Sequence, residues 1–576
     1  MVCPFFVALF KSFLRRWPRS LYVLICTVLV GYFLWIATQY YLPGKGFTCL
    51  IEFGGAPQLH RIRELRGVDY YVYRDSNGYD GQYYAQMAIK PLLRSRDLEH
   101  AVDNLPYRAR RILFSWTAFV LGLGQPAWIL QAYALQGIVA WLVLAWLLWR
   151  WFPPDSLNNL VRWAGTLFAW GMTMSVREAL MDGPSLLLIA WGVALAEQGR
   201  RWASAGVLGV AGLGRETNLL AGLTLLPSPH WGIRPARVSV RGPAFSVFPI
   251  GGWEWREAAR TLGRGAVTVL PLALWVGCLW YYYGVPSNTG EGNFGTPFAA
   301  FAGKWAGAIR ELRLNGWDSS AKWTLLMLVS LSVQFLVIAL RPQWPSLWWR
   351  IGAPFALLLV LLGPAPWDGF PGAAARIVLP LTLAFNVVLP RGRWWWPVLL
   401  LGNLSALSAP DQLRPPGSEG YKVTGPREVW QSPARQSVEV EFSGDWYQAE
   451  RSHLEYWQWS RGSAGMVIRN PQPAPIEVEL HFDLRAFDDR TIRVYEGKAL
   501  RWEGHVGRTS TPVRLAGIRL EPGDNAWRFE TDKPPVVPEG DTLRPVAFNL
   551  RNLVVRAVRM LDVSAPPSGP APPPGR

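Results

Sequence analysis

Long apolar runs alternate with short polar connections over roughly the first 410 residues, and the texture then changes to short segments in which apolar and polar side chains alternate singly. The first run, Leu21 to Tyr41, holds about 20 residues, enough for one helix to cross a bilayer. Further runs fall at 112–124, 127–149, 160–176, 185–198, 203–227, 265–283, 323–340, 351–363, 373–390 and 394–409. The pattern predicts an α-helical polytopic membrane domain over 21–410, with about 10–12 apolar helices. After a linker at 411–434, stretches such as Ser437-Val438-Glu439-Val440-Glu441-Phe442 and Ile476-Glu477-Val478-Glu479-Leu480-His481-Phe482 alternate with period two. They predict a C-terminal all-β sandwich of the jelly-roll kind over 435–564. The Pro-rich end, 565–576, predicts a disordered tail.

Charge around the runs predicts a topology. Lys11, Arg15, Arg16 and Arg19 precede the first run and no small-residue cleavage site follows it, so a retained helix with residues 1–20 in the cytosol is expected. The loop 42–110 is then external, in the periplasm of a bacterium. Arg341 to Arg350 and Arg391-Gly392-Arg393 are expected in the cytosol, alternating with external loops at 284–320 and 364–372 and leaving the C-terminal domain outside. Arg200-Arg201 and the basic loop 228–264 also look cytosolic, although a single run separates them. The break Gly212-Leu213-Gly214-Arg215-Glu216 predicts that this run makes two short crossings or a re-entrant pair.

Composition sharpens this picture in three respects. The 33 tryptophans cluster at run ends, as in Trp149-Arg150-Trp151, Trp348-Trp349 and Trp394-Trp395-Trp396, where an indole suits the headgroup level. The formal charge of +17 sits beside apolar helices, which points to anionic lipid and away from nucleic acid. The four cysteines have no spacing that suggests a zinc site or a disulfide framework.

Candidate chemistry lies in the polar connections. The first external loop carries Gly78-Tyr79-Asp80-Gly81-Gln82-Tyr83-Tyr84, then Asp103 and Pro106-Tyr107-Arg108, Arg110-Arg111 and Ile112-Leu113. Asp80 is either a turn residue or a general base towards a sugar hydroxyl, and Arg108 and Arg111 are either interfacial anchors or forked donors to a phosphate. Ser175-Val176-Arg177-Glu178-Ala179-Leu180-Met181-Asp182-Gly183-Pro184 falls on the same face if the next helix ends in the cytosol. Asp182-Gly183-Pro184 also suits a plain helix start, but Arg177 and Glu178 at the edge of a membrane run are costly without a role. Arg215-Glu216, well inside an apolar stretch, is either a structural ion pair or the border of a polar cavity. An external loop with Tyr281 to Asn288, Glu291, Asn293 and Phe298, and Arg376 at the head of Arg376-Ile377-Val378-Leu379-Pro380, complete the set.

Together these features resemble the GT-C class of membrane glycosyltransferases, which includes protein mannosyltransferases, oligosaccharyltransferases and lipid-A aminoarabinose transferases. The resemblance covers about residues 20–410 and rests on layout with Tyr79-Asp80-Gly81-Gln82-Tyr83-Tyr84, Ser175 to Asp182 and Arg376 to Pro380. Bacterial cell-surface glycopolymer proteins with Gly-Tyr-Asp-Gly-Gln, then Pro-Tyr-Arg and Arg-Ile-Leu, are particularly similar. It implies transfer of a sugar from a polyprenyl-phosphate-linked donor to a glycan or glycolipid acceptor on the external face. Asp80 would be the base or a metal ligand, assisted by Asp182 and Glu178. Arg108, Arg111 and Arg376 would hold the donor phosphate, and Tyr79, Gln82, Tyr83, Arg177, Arg215 and Glu216 would line the cavity. A lone Asp80 where several relatives have adjacent acids leaves a divalent cation, Mg2+ or Mn2+, an open question. A glycolipid transporter or envelope assembly scaffold is the alternative. In the β domain, Trp446-Tyr447, Trp457 and Trp459, with 541–544, either stack on a glycan or pack in the core.

Overall fold

The computed structural model describes residues 19–42, 44–54, 60–73, 77–227, 255–284, 290, 292–315, 321–368, 372–413, 421–433, 436–447, 450–451, 456–537 and 545–561. Asn288, Glu291, the tail and 541–544 lie outside them, as do residues 1–18 and most of the basic loop 228–264. Helices fill the first part of the chain and strands the second, and each part has its own hydrophobic core.

Four helices among the described residues are long and apolar enough to cross a membrane: Arg19–Thr38, Pro126–Arg150, Trp255–Tyr283 and Ala321–Leu340. Leu347–Leu361 and Leu379–Val388 are apolar but shorter. The run at 185–198 is one helix of 16 residues, Asp182–Glu197, and several of the others are broken by backbone chemistry that hydropathy does not register. The run at 112–124, at 13 residues already short for a crossing, is a nine-residue helix Leu113–Leu121, about 13 Å long against a hydrocarbon core of about 30 Å. It turns at Gly122–Gly124 and packs antiparallel on the start of Pro126–Arg150, with Thr117 Oγ1 3.1 Å from Gln136 Oε1. Likewise 160–176 is split into Leu157–Leu167, capped by Ser156, and Trp170–Arg177.

The run at 203–227 forms a hairpin. Arg201–Gly214 is helical, Arg215 is fully extended, and Glu216–Leu225 continues as a 3-10 helix. At 1.5 Å and 2.0 Å per residue the two limbs are about 21 Å and 20 Å long, so both ends return to one level while Arg215 and Glu216 sit at the tip.

That level is also where the basic segments meet. Arg150 pairs with Glu197 (2.8 Å), Arg201 with Glu257 (3.4 Å), and Arg350 donates to the Leu226 carbonyl. Arg391 donates to the Trp151 carbonyl (2.9 Å), and Arg341 lies over Trp395. At the opposite end Gln131 bonds Lys45 and Phe47, and Tyr283 donates to the Leu93 carbonyl (2.6 Å). The first end carries its cations with few acids beside them, whereas the opposite end mixes cations with Glu52, Glu64, Asp80, Asp97, Glu99 and Asp103.

In the loop after the first helix, β1 (Phe53–Gly54) and β2 (Val72–Tyr73) make a short parallel ladder. The C-terminal part consists of β3 (Tyr421–Thr424), β4 (Glu439–Phe442), β5 (Glu450–Arg451), β6 (Tyr456–Trp459), β7 (Ala464–Asn470), β8 (Ile476–Ala486), β9 (Arg490–Glu496), β10 (Ala499–Val506), β11 (Thr511–Leu520), β12 (Gly523–Thr531) and β13 (Phe548–Met560). One sheet of five strands orders as β10-β9-β12-β7-β4; the other has six, five of them in the order β11-β8-β13-β6-β5 and the sixth, β3, alongside β13. The alternate residues of both sheets bury one shared core, in which Phe482 meets Phe529 at 5.9 Å and Trp446 meets Phe548 at 5.6 Å. Residues 411–434, expected as a linker, supply β3, which pairs parallel with β13, and the core side chains Tyr421 and Val429.

Of the aromatic candidates, Trp446 is a core residue. Trp457 lies under Arg551, and Trp459 stacks on Phe487 (4.8 Å, 7°).

Candidate functional site

The first loop is shaped by two glycines that bracket Tyr79-Asp80. Gly78 has φ +68°, and a Cβ there would lie 2.4 Å from the Glu52 carbonyl oxygen. At Gly81 a Cβ would lie 2.7 Å from the Ile51 oxygen and 2.9 Å from the Glu178 oxygen. Only glycine permits that double approach. It seats helix Gly81–Ile89 against the 175–182 segment and presents Asp80 just ahead of the first turn. Gln82 ties the loop together, accepting from Gly54 N (3.2 Å) and donating to the Asn77 carbonyl (2.8 Å).

Asp80 faces a cavity of about 580 Å³. Its wall carries five arginines, at 108, 110, 111, 215 and 376, against three carboxylates, Asp80, Asp182 and Glu216. One side is apolar, from Phe294, Leu358, Leu362, Pro366 and Ile377. The cavity thus offers excess positive charge beside a greasy wall, which suits an amphiphilic anion.

Arg108 is fully committed. It forks onto Asp103, Nε to Oδ1 at 3.0 Å and Nη2 to Oδ2 at 2.8 Å, while Nη1 meets Asp80 Oδ1 at 2.9 Å. Burial opposes its charge, but Asp80 and Asp103 outweigh burial and hold its pKa above the usual value. Asp80 keeps Oδ2 without a partner among the described residues, on a side chain about one-third exposed. Arg111, at the foot of the short helix, donates to Glu216 (2.8 Å), to Tyr107 Oη (3.2 Å) and to Tyr84 Oη (3.5 Å). The hairpin tip is pinned this way.

Asp182 starts helix Asp182–Glu197 and is almost wholly buried. Its Oδ1 takes Arg215 and its Oδ2 takes Arg376 Nη1 at 3.1 Å. Arg376 Nη2 donates to Tyr79 Oη at 2.7 Å, and the Tyr79 phenol is pushed upward by burial in spite of that cation. Arg376 is brought in by Ala374–Ile377, whose backbone crosses so close to Gly171 that a Cβ there would lie 2.4 Å from the Ala375 oxygen.

Asp80, Asp182, Arg108, Arg111, Arg376, Tyr79, Arg215 and Glu216 therefore share one cavity although they come from four separate parts of the chain. Glu178, Arg177, Gln82 and Tyr83 do not line it. Glu178 is buried behind Gly81. Arg177 points to the other side, among Phe33, Ala37, Tyr40 and Leu413, and Tyr83 lies against Arg108 (5.0 Å). Tyr84, Tyr107 and Asn293 line the cavity without having been singled out for roles. Asn293 Nδ2 donates to Tyr107 Oη (3.3 Å) from a segment whose backbone is bonded to Gly363 and Ala365.

A divalent cation fits these residues poorly. Both Asp182 oxygens and one Asp80 oxygen are occupied by guanidinium, and no group of three or more His, Cys, Asp or Glu among the described residues is placed to ligate a metal. Compared with known proteins, the chain matches no family model, and no curated sequence is significantly similar to it.

Proposed function

We propose that the protein is a polytopic glycosyltransferase of GT-C type, which moves a sugar from a polyprenyl-phosphate-linked donor to an envelope glycan or glycolipid at the external face of a bacterial inner membrane. The observation that carries this reading is the cavity in which an available carboxylate oxygen of Asp80 lies beside an arginine excess and an apolar wall. The apolar wall suits the prenyl chain and the arginines suit the phosphate. Asp80 Oδ2 takes the proton of the acceptor hydroxyl as its oxygen bonds to the anomeric carbon. The bond from that carbon to the phosphate oxygen breaks, and polyprenyl phosphate leaves as the more highly charged anion, stabilised by guanidinium.

The sidedness follows from the charge asymmetry of the helical region. The basic end is cytosolic by the positive-inside rule, so the loop 42–110, the cavity and the C-terminal domain are external. In this reading the two sheets form a jelly-roll-like sandwich outside the membrane.

One observation favours the alternative of a glycolipid transporter. The helix broken at Gly214–Arg215, with charges at its tip, is the kind of discontinuity from which transporters build binding sites. Radiolabelled transfer from polyprenyl-phosphate donors separates the two. Asp80→Ala is expected to reduce transfer by at least about a thousandfold with expression intact. Full activity in that variant would remove Asp80 from the reaction, and transbilayer movement of glycolipid without transfer would favour the transporter.

A further inference from the structure

The arginines of the cavity are not equivalent, and their hydrogen bonds sort them. A guanidinium carries five N–H groups and no acceptor. In Arg108 all three nitrogens are engaged by Asp103 and Asp80, and in Arg111 all three are engaged by Glu216, Tyr107 and Tyr84. Arg215 differs, because only its Nη1 is used, on Asp182. Arg376 uses Nη1 on Asp182 and Nη2 on Tyr79. The Nε atoms of Arg215 and Arg376 are both buried and have no hydrogen-bond partner among the described residues. Those Nε atoms are too enclosed for a ligand to reach; the donors open to an anion in the cavity are Arg215 Nη2, unused among the described residues, and the second N–H groups of the Arg376 Nη atoms.

Asp182 explains why these two stand together. Arg215 comes from the hairpin tip and Arg376 from the crossing at Gly171, and each takes one oxygen of the same carboxylate. With both oxygens filled and a side chain 2% exposed, Asp182 has no lone pair facing a hydroxyl. Asp80 does, through Oδ2.

We infer that the site divides its charged residues into two units. Arg215 and Arg376, held side by side by the positioning residue Asp182, seat the phosphate, while Arg108 holds Asp80. The ligand class is a phosphate monoester or diester with an apolar tail, bridged by two guanidiniums through different oxygens. This deepens the transferase reading and rests on it for the identity of the tail, whereas the anion seat is measurable without any transfer.

The test is binding of farnesyl phosphate to the full chain in lipid nanodiscs, with farnesol and inorganic phosphate as parallel probes. Arg215→Gln and Arg376→Gln are each expected to weaken farnesyl phosphate about tenfold, equivalent to about 1.4 kcal/mol, and to leave farnesol unchanged. Arg108→Gln is expected to stay within about threefold in binding while transfer is lost. Asp182→Asn adds a unit of positive charge yet is expected to weaken the anion, because the shared anchor is gone; tighter binding there would overturn the positioning role. Should a glutamine variant fail to fold, Arg215→Lys keeps the charge and loses the fork, and is expected to weaken binding about threefold. Wild-type affinity for farnesyl phosphate no better than for farnesol would overturn the seat, as would an Arg108→Gln loss larger than that of Arg215→Gln. Phosphate displacing farnesyl phosphate, with every donor sugar refused for transfer, would leave the seat standing and sink the transferase.

Discussion

Single side chains in this protein take their chemistry from what surrounds them. Asp80 and Asp182 are both acids at one cavity, yet one has an oxygen to spare among the described residues and the other has a guanidinium on each oxygen, the difference on which the proposed roles rest. Cys49 shows the same principle outside the cavity. Its thiol is buried in the first loop, lies 3.0 Å from the Tyr40 carbonyl, and is pushed up to about 12 by burial. The thiol therefore stays protonated through neutral pH, and only about one part in ten thousand is thiolate at pH 8. Iodoacetamide at pH 8 is expected to label Cys49 only after denaturation, as read by mass spectrometry. Rapid alkylation in the folded protein would show the loop to open.

At the level of elements, close backbone crossings place the site. Ala374–Ile377 reaches the cavity only because Gly171 lets it pass, so Gly171→Ala must push the Ala375 carbonyl and Arg376 aside. A loss of about 1–3 kcal/mol and weaker phosphate binding are expected, measured by thermal unfolding and by the farnesyl phosphate titration. Gly206→Ala, in a helix with open space at that point, is expected to be neutral or slightly stabilising and serves as the control.

The sequence carries the residue types of the site openly: charged and aromatic side chains stand out beside apolar runs, and the broken run at Gly212 to Glu216 announces a turn. It does not carry their facing. Gln82 and Tyr83 sit within a few positions of Asp80 but turn to Asn77 and Arg108. Nor does hydropathy separate a crossing from a half-length helix such as Leu113–Leu121, because the stop comes from a Gly-Leu-Gly turn and a packing partner, not from polarity. Asn293 reaches Tyr107 across 186 positions, a contact that no local pattern encodes.

For the molecule as a whole, no hydrophobic cluster among the described residues joins the helices to the strands, which implies two folding units. The boundary lies before β3, because Tyr421 and Val429 are core residues and β3 completes a ladder with β13. A fragment covering 421–561 is expected to melt cooperatively in water, and one starting at 435 to lose about 3 kcal/mol or more through the missing apolar contacts. Equal stability of the two would detach β3 from the core. The cavity has a consequence on this scale too. With five guanidiniums against three carboxylates, the protein at rest must recruit counter-ions into the space the donor would use, so its solvent is never a bystander. Under the proposed transfer, phosphate and sulfate in a purification buffer are expected to compete with the donor there, so activity measured in a zwitterionic buffer should exceed activity in phosphate.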